Sequence, residues 1–406
     1  MENNLHITHD GKSGHHLLKN HSVLLHCNHF NIELQNTILL PEYIPGFDIQ
    51  FNAAAETAFS LLAGFFPEGS PREAARVLET AGSIYHTMGL GLLDLSTLTA
   101  DGGTIESTHS HYHLGWQIRF NKSESMAHVF TRGYIAGVLS FIYNKPFTVD
   151  VHLKNSIFQF TATPVDEAEY FQNLDQGAED INITTPPNPV YDTGLPCRDI
   201  TREMLKSLPH SAPNGLIEAF GVYLTYLPAE YYGKIAFRFE QALDETGGFQ
   251  GLARPLLVES GHVCGFNTFG GIMTSDIWKT LVQPLLNSRE DWVYGIVSII
   301  NALGWGHWHI NELKPGERLV LHVYNSTEAL SYRRYFGVAH APKCYTAEGA
   351  AAAIMNLIYK GDITEEPILD KAYYNEVFRS HSAFHSRETK CVAKGDPYCE
   401  FEFTNK

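Results

Sequence analysis

The residue types that could do chemistry gather near the C-terminal end of this 406-residue chain. The run ETKCVAKGDPYC spans Glu388 to Cys399 and sets two thiols seven residues apart, with a Gly395-Asp396-Pro397 turn between them. Such a turn folds both sulfurs toward one point. A third thiol, Cys344, precedes a helix of small residues. A closed tetrahedral site takes four ligands, and Cys344, Glu388, Cys391 and Cys399 offer three sulfurs and a carboxylate oxygen. That set suits a structural zinc, with no open position for catalysis. The alternative is a set of metal-free core cysteines closing a strand.

Two further cysteines lie in related strings, His26-Cys27-Asn28-His29-Phe30-Asn31 and His262-Val263-Cys264-Gly265-Phe266-Asn267. A thiol beside an imidazolium is activated as a nucleophile, so Cys27, His26, Cys264 and His262 are candidate catalytic residues. The plainer reading is a pair of small buried hydrophobes at equivalent places in two repeats. His109, His111 and His113 alternate, so on a strand all three imidazoles share a face. His86, His128 or Asp94 would then complete a metal site. The competing expectation is a polar, pocket-lining strand. His307 and His309 alternate with Trp305 and Trp308 in the same manner. Together with Asn267, Phe266 and His111, the residues Trp305, His307 and His309 are the candidate ligand contacts, offering stacking and a few hydrogen bonds to an aromatic or tetrapyrrole-like molecule.

Positioning these groups takes a well-cored chain. The composition is 44% hydrophobic and 18% charged, long enough for two domains. The net charge of −16 and the absence of basic runs argue against nucleic acid as a partner. Apolar stretches such as Ile135–Tyr143 and Val293–Leu303 fall short of the roughly 20 residues of a membrane span, so no span is expected. The N-terminus lacks the apolar region of a secretory signal, which places the chain in the cytoplasm and favours ligand or reactive cysteines over disulfides.

The sharpest composition break is the Pro-, Thr- and Asn-rich stretch from Asn182 to Pro196. It divides the chain into a flexible tail (1–20), a first domain (21–181), a linker (182–196) and a second domain (197–406). A weak internal repeat supports two related domains. Helices over Ala75–Leu90 and Trp292–Trp305 run into Gly89-Leu90-Gly91 and Gly304-Trp305-Gly306, and His128–Gly133 matches Cys344–Gly349 at an offset of 216. The closing strands are expected at Phe147–Leu153 and Cys399–Phe403, and the second copy carries an insertion from Lys360 to Ser382. Helices mixed with hairpins rather than βαβ units give an α+β class, each domain an antiparallel sheet packed with helices.

With these motifs in place, the chain from roughly 255 to 406 resembles the 4-vinyl reductase domain family, on the GWG, PKCYTAEG and ETKCxAxGDPYCEFEF segments. Relatives include bacteriochlorophyll biosynthesis proteins, the aromatic-sensing modules of phenol- and toluene-responsive activators, and Bet3-type tethering subunits. The resemblance implies a tandem of such domains. It also implies zinc held by a Cys before the small-residue helix and by Glu-x2-Cys-x7-Cys, which Cys344, Glu388, Cys391 and Cys399 match. Cys344 and Glu388 stand further apart than in the sensors because of the Lys360–Ser382 insertion, which would cap or modify the pocket. The first copy carries His128 in place of Cys344 and no cysteine in its closing strand, so its zinc site is lost. A phosphate-binding GxxxxGK[ST] loop, a helix-turn-helix and a dinucleotide GxGxxG fingerprint are all missing, so neither ATP-driven transcription nor a nicotinamide reductase is inferred. The leading expectation is a sensor or accessory protein that binds a small hydrophobic or aromatic ligand and signals through a protein partner or homodimer. The alternative is a thiol- or metal-dependent enzyme built from His26, Cys27, His262, Cys264 and the His109/His111/His113 stripe. A third class is a scaffold with a filled pocket.

Overall fold

The structure is a computed structural model and describes residues 5–121, 125–154, 157–174 and 181–405. Its strands are β1 (Ile7–Asp10), β2 (His15–Leu18), β3 (His21–Cys27), β4 (Gly103–Ser107), β5 (Phe147–Lys154), β6 (Ile157–Pro164), β7 (Ile217–Ala219), β8 (Val222–Pro228), β9 (His307–Lys314), β10 (Arg318–Tyr324), β11 (Phe384–Lys390) and β12 (Cys399–Asn405). They form antiparallel sheets of order β1-β2-β3-β8-β7, β4-β6-β5 and β11-β12-β10-β9, packed against helices, an α+β arrangement.

The first sheet joins the two halves of the chain through β3 and β8. Cys27, the last residue of β3, faces Leu224, and Pro228, the last residue of β8, faces Val23. Each strand runs straight into a helix, Asn28–Leu39 or Ala229–Glu245. The register is unchanged when the two strands are exchanged, so the pair is arranged about a pseudo-twofold axis. Both halves then repeat a crossing of two helices rich in small residues. Gly46–Phe65 packs on Val129–Tyr143, and Ala253–Thr274 packs on Tyr345–Tyr359. The backbones touch at equivalent glycines: a Cβ on Gly133 would lie 2.3 Å from the Phe51 carbonyl oxygen, and one on Gly349 2.0 Å from that of Val258. One continuous apolar core runs through both halves.

Several expectations change. Of the tail, residues 1–4 lie outside the described residues, but β1 and β2 form a hairpin with His15 and His16 buried. Its turn abuts the second half, where His15 bridges to Trp305, so the segment is tied down by pairing that its polar sequence hid. From Ile181 to Asp192 the chain has no regular secondary structure, and Thr184 is pinned by the Asn325 side chain through its N–H (3.0 Å) and carbonyl (2.9 Å). The histidine stripe is not a strand. Ser110 accepts from the His113 N–H and caps a helix over His111–Phe120, which ends the alternation. The closing strands also match differently. Ser107 pairs with Phe158 as Val323 pairs with Cys399, and Val151 pairs with Phe160 as Glu388 pairs with Phe401. The counterpart of the Cys399 strand is therefore β6, and that of β5 is β11. No described helix is long and apolar enough to cross a membrane.

Candidate metal centre and interior cavity

Three elements and the turn between two of them deliver the C-terminal cluster. Cys344 sits at the N-terminus of the helix Tyr345–Tyr359, Glu388 lies in β11, Cys391 follows it, and Cys399 opens β12. The register between β11 and β12 shifts after Glu388, and the connection turns at Gly395, whose φ is +98°. Asp396 accepts the Cys391 N–H at 2.8 Å and fixes that turn. The Cys344 sulfur lies 3.3 Å from Cys399 and 4.0 Å from Cys391, and all four ligand atoms lie within 4.8 Å of one another. All six cysteines are free, and these separations are far beyond a bonded disulfide.

The donor set fits a metal ion. A tetrahedral ion with sulfur at about 2.3 Å holds its sulfurs about 3.8 Å apart, between the two observed distances. Backbone N–H groups of Lys343 and Val392 point at Cys391 and Cys399, both at 3.4 Å, as they would toward thiolates. Glu388 takes the Cys344 N–H on Oε2 at 2.9 Å, while its buried Oε1 has no partner. That orphan oxygen is the one left to serve as a ligand. Burial pushes the Cys344 and Cys399 thiols and the Glu388 carboxyl up, whereas hydrogen bonds from the two other thiols pull Cys391 down. A cation among them inverts that penalty. This is the one group of three or more clustered metal-ligating side chains among the described residues. In the first half, the strand registers set Val151 and Phe158 at the equivalent places and His128 precedes its helix as Cys344 does, with the His128 and Phe158 rings 4.0 Å apart. Neither His128 nitrogen has a partner, and burial holds the imidazole down at about 3, neutral.

A cavity of about 40 Å³ lies between the halves, lined by His26 and Phe30 from one and by Tyr232, Trp305, Trp308 and Glu328 from the other. His26 stacks on Trp305 at 4.8 Å and touches Phe30 (4.3 Å) and Tyr232 (4.9 Å). Its burial lowers it to about 3, so it is a neutral imidazole. Glu328 accepts the N–H groups of Thr346 (2.9 Å) and Ala347 (2.8 Å), at the start of the helix that Cys344 precedes. Desolvation lifts its carboxyl to about 7. The Trp308 indole N–H is buried without a partner. The cavity thus shares a helix N-terminus with the cysteine cluster. A wider open groove of about 960 Å³ is lined by both halves, with His6 and His86 from the first and His210 from the second.

The structure brings together some of the expected residues and separates others. His26 meets Cys264 where β3 reaches the helix Ala253–Thr274, its Nδ1 3.4 Å from the Cys264 sulfur, and Cys27, also buried, follows His26 at the end of β3. His262 is elsewhere, beside Glu259 (3.1 Å) and the Phe378 ring. Cys27 and Cys264 are not equivalent in the repeat, since one ends a strand and the other sits within a helix. Trp305 lines the cavity, but His307 and His309 lie on the opposite side of β9 from the buried Trp308, His307 Nε2–H donating to the Lys12 carbonyl at 3.2 Å and His309 lying against Tyr324. Phe266 packs on Tyr373 and Tyr374 of the Lys360–Ser382 insertion, and Asn267 bonds the Val263 carbonyl of its own helix. The insertion therefore covers that helix and not the cavity. The three histidines of the stripe go to three places: His109 to Thr108, His111 to Asn31, and His113 to the His128 and Phe158 rings. Glu328 and Tyr232 were missed by sequence reasoning, because neither lies in a run that marks it.

The chain matches no family model and no curated protein. Among solved structures it is similar to the phenol-responsive sensory domain of the transcription activator PoxR with phenol, with a TM-score of 0.39 and 16% identity, covering 52% of this chain and 92% of that one.

Proposed function

We propose that this is a tandem, 4-vinyl reductase-type, Bet3-like protein of the cytoplasm that binds a small hydrophobic or aromatic ligand between its halves. Zinc on Cys344, Glu388, Cys391 and Cys399 braces the second half, and the protein acts as a sensor or accessory factor through a protein partner or a second copy. The carrying observation is the convergence of three buried thiols and a carboxylate with one unpartnered oxygen. Bound there, zinc supplies a cross-link among β11, β12 and the helix Tyr345–Tyr359, with no free position for chemistry. The helix that the cluster anchors also presents Thr346 and Ala347 to Glu328 on the cavity, which couples metal to pocket.

The cavity limits the ligand. A benzene-sized guest needs a space of about 150 Å³. At about 40 Å³ the rings must part to admit a single ring, and a tetrapyrrole is too large. Metal analysis of natively purified protein is expected to give about one zinc per chain, lost in a Cys391→Ser/Cys399→Ser variant that also melts at a much lower temperature. Absence of metal from well-folded wild type would overturn the zinc assignment. For the pocket, toluene or phenol is expected to quench tryptophan fluorescence saturably in wild type and not in Trp305→Ala. Equal quenching in both proteins would remove the cavity as the binding site.

A further inference from the structure

In the first half, two imidazoles lie together where the second half gathers its thiols. His128 precedes the helix Val129–Tyr143 as Cys344 precedes the helix Tyr345–Tyr359, and His113 comes from the helix His111–Phe120. Their ring centroids are 6.0 Å apart with 13° between the planes, too far for face-to-face contact. Phe158 packs on both, at 4.5 Å from His113 and 4.0 Å from His128. His128 is fully buried and neither of its nitrogens has a partner, and Nδ1 of His113 is buried and unpartnered as well. A neutral imidazole carries one N–H and one lone pair, and burying either unmet is costly. Burial lowers both histidines, so both rings are neutral and each offers a lone pair. The strand registers put Val151 and Phe158 where the second half has Glu388 and Cys399, so those places supply neither a carboxylate nor a thiol. Arg132, four residues beyond His128, is engaged by the Val149 carbonyl and by Asp150 at 3.3 Å.

Ligands of this kind are neutral, nitrogenous and few. Calcium and magnesium take oxygen ligands, and zinc takes four ligands in a tetrahedron. Imidazole nitrogen also suits copper. The copper(I) ion is satisfied by two nitrogens in a line, and a single charge is the least costly to bury between ligands that carry none. Two imidazoles that each stand about 2 Å from a shared ion on one line hold their centroids about 6 Å apart. That is the separation of His113 and His128.

We infer that His113 and His128 hold one copper(I) ion, in the half of the chain that lacks the thiol cluster. His113 binds through Nδ1, its buried nitrogen, and its partly exposed ring gives the ion a way in from solvent. The ion ties the helix His111–Phe120 to the start of the helix Val129–Tyr143. Of the three alternating histidines, His113 alone reaches His128, so the site uses one member of that run and not its spacing.

The test loads the full-length protein anaerobically with acetonitrile-stabilised copper(I), desalts it, and counts copper and zinc per chain. Thiols also take copper(I), so the comparison is between proteins that share every cysteine. His113→Leu and His128→Leu are each expected to retain about one copper per chain fewer than wild type, with zinc unchanged. The result does not depend on what the cysteine cluster holds. Equal copper in wild type and in folded His113→Leu would overturn the inference. Where the variants fail to fold, the wild-type protein decides. Brief exposure of the copper-loaded chain to hydrogen peroxide is expected to add one oxygen to His113 or His128, seen by peptide mass mapping and absent without copper. Oxidation that spares both histidines would overturn the site.

Discussion

Asn31 ties three buried polar groups together behind the cavity wall, Tyr232 among them. Its amide nitrogen donates to His111 Nε2 and Thr225 Oγ1, each at 2.9 Å, and its oxygen accepts the Tyr232 hydroxyl at 2.7 Å, all of them buried. Replacing Asn31 by Leu strands three polar groups, each costing about 1–3 kcal/mol when left unpaired. Urea denaturation of Asn31→Leu is expected to show a loss of several kcal/mol, and a loss under about 1 kcal/mol would mean that water or repacking satisfies the network. Asn267, in the string that looks the same in sequence, bonds only its own helix, so Asn267→Ala is expected to stay near wild type in the same assay. The contrast shows what residue spacing can tell. The clustering of Glu388, Cys391 and Cys399 was legible because one local hairpin sets their geometry. The meeting of His26 with Cys264 was not, because it depends on how two halves pack.

At the scale of elements, the repeated helix crossing was legible while the strand pairing was not, and loop length explains both. The glycine-rich helices lie at a constant offset, so Gly133 and Gly349 aligned directly. Two residues separate β5 from β6 in one copy, whereas eight separate β11 from β12 in the other, and the difference hid the match of β5 with β11. The His-x-His-x-His run misled for a different reason: period-two spacing says strand, but the serine within it caps a helix. The glycine crossings make their own prediction. Neither Gly133 nor Gly349 has a positive φ, so alanine brings no backbone strain there and would favour the helix by about 1 kcal/mol. Its methyl would meet a carbonyl oxygen at 2.3 or 2.0 Å and force the helices apart. Overpacking of this kind costs about 1–3 kcal/mol or more. Both Gly133→Ala and Gly349→Ala are therefore expected to lower the melting temperature, and a rise in either would show that the crossing relaxes freely.

For the whole molecule, the consequence of so much buried imidazole is acid sensitivity. His15, His16, His26 and His111 are each at most 4% exposed, and they knit the N-terminal hairpin, the central sheet and the second half together. His15 Nε2–H donates to the Asn325 carbonyl at 2.7 Å and His16 Nε2–H to that of Ala302 at 2.8 Å, so protonation adds a second charged donor where each ring sits desolvated. Burial lowers His15 and His16 to about 4 and His26 and His111 to about 3, all below the unfolded value near 6.5. Between those limits the unfolded chain binds protons that the folded chain refuses, so stability is fully present above pH 6.5 and falls as pH drops toward 4. Each histidine contributes a slope of up to about 1.4 kcal/mol per pH unit, a loss of about 2 kcal/mol by pH 5. Four together approach the net stability of a typical domain, about 5–15 kcal/mol. Urea midpoints are expected to fall steeply from pH 7.5 to pH 5, with unfolding in buffer before pH 4. Protonation of the cysteine cluster, with loss of the zinc proposed there, would act in the same direction, so the two are separated by His16→Gln, which leaves the cysteine cluster intact. That variant is expected to show a pH slope shallower by about one proton, whereas an unchanged slope would assign the acid sensitivity to the cysteine cluster instead.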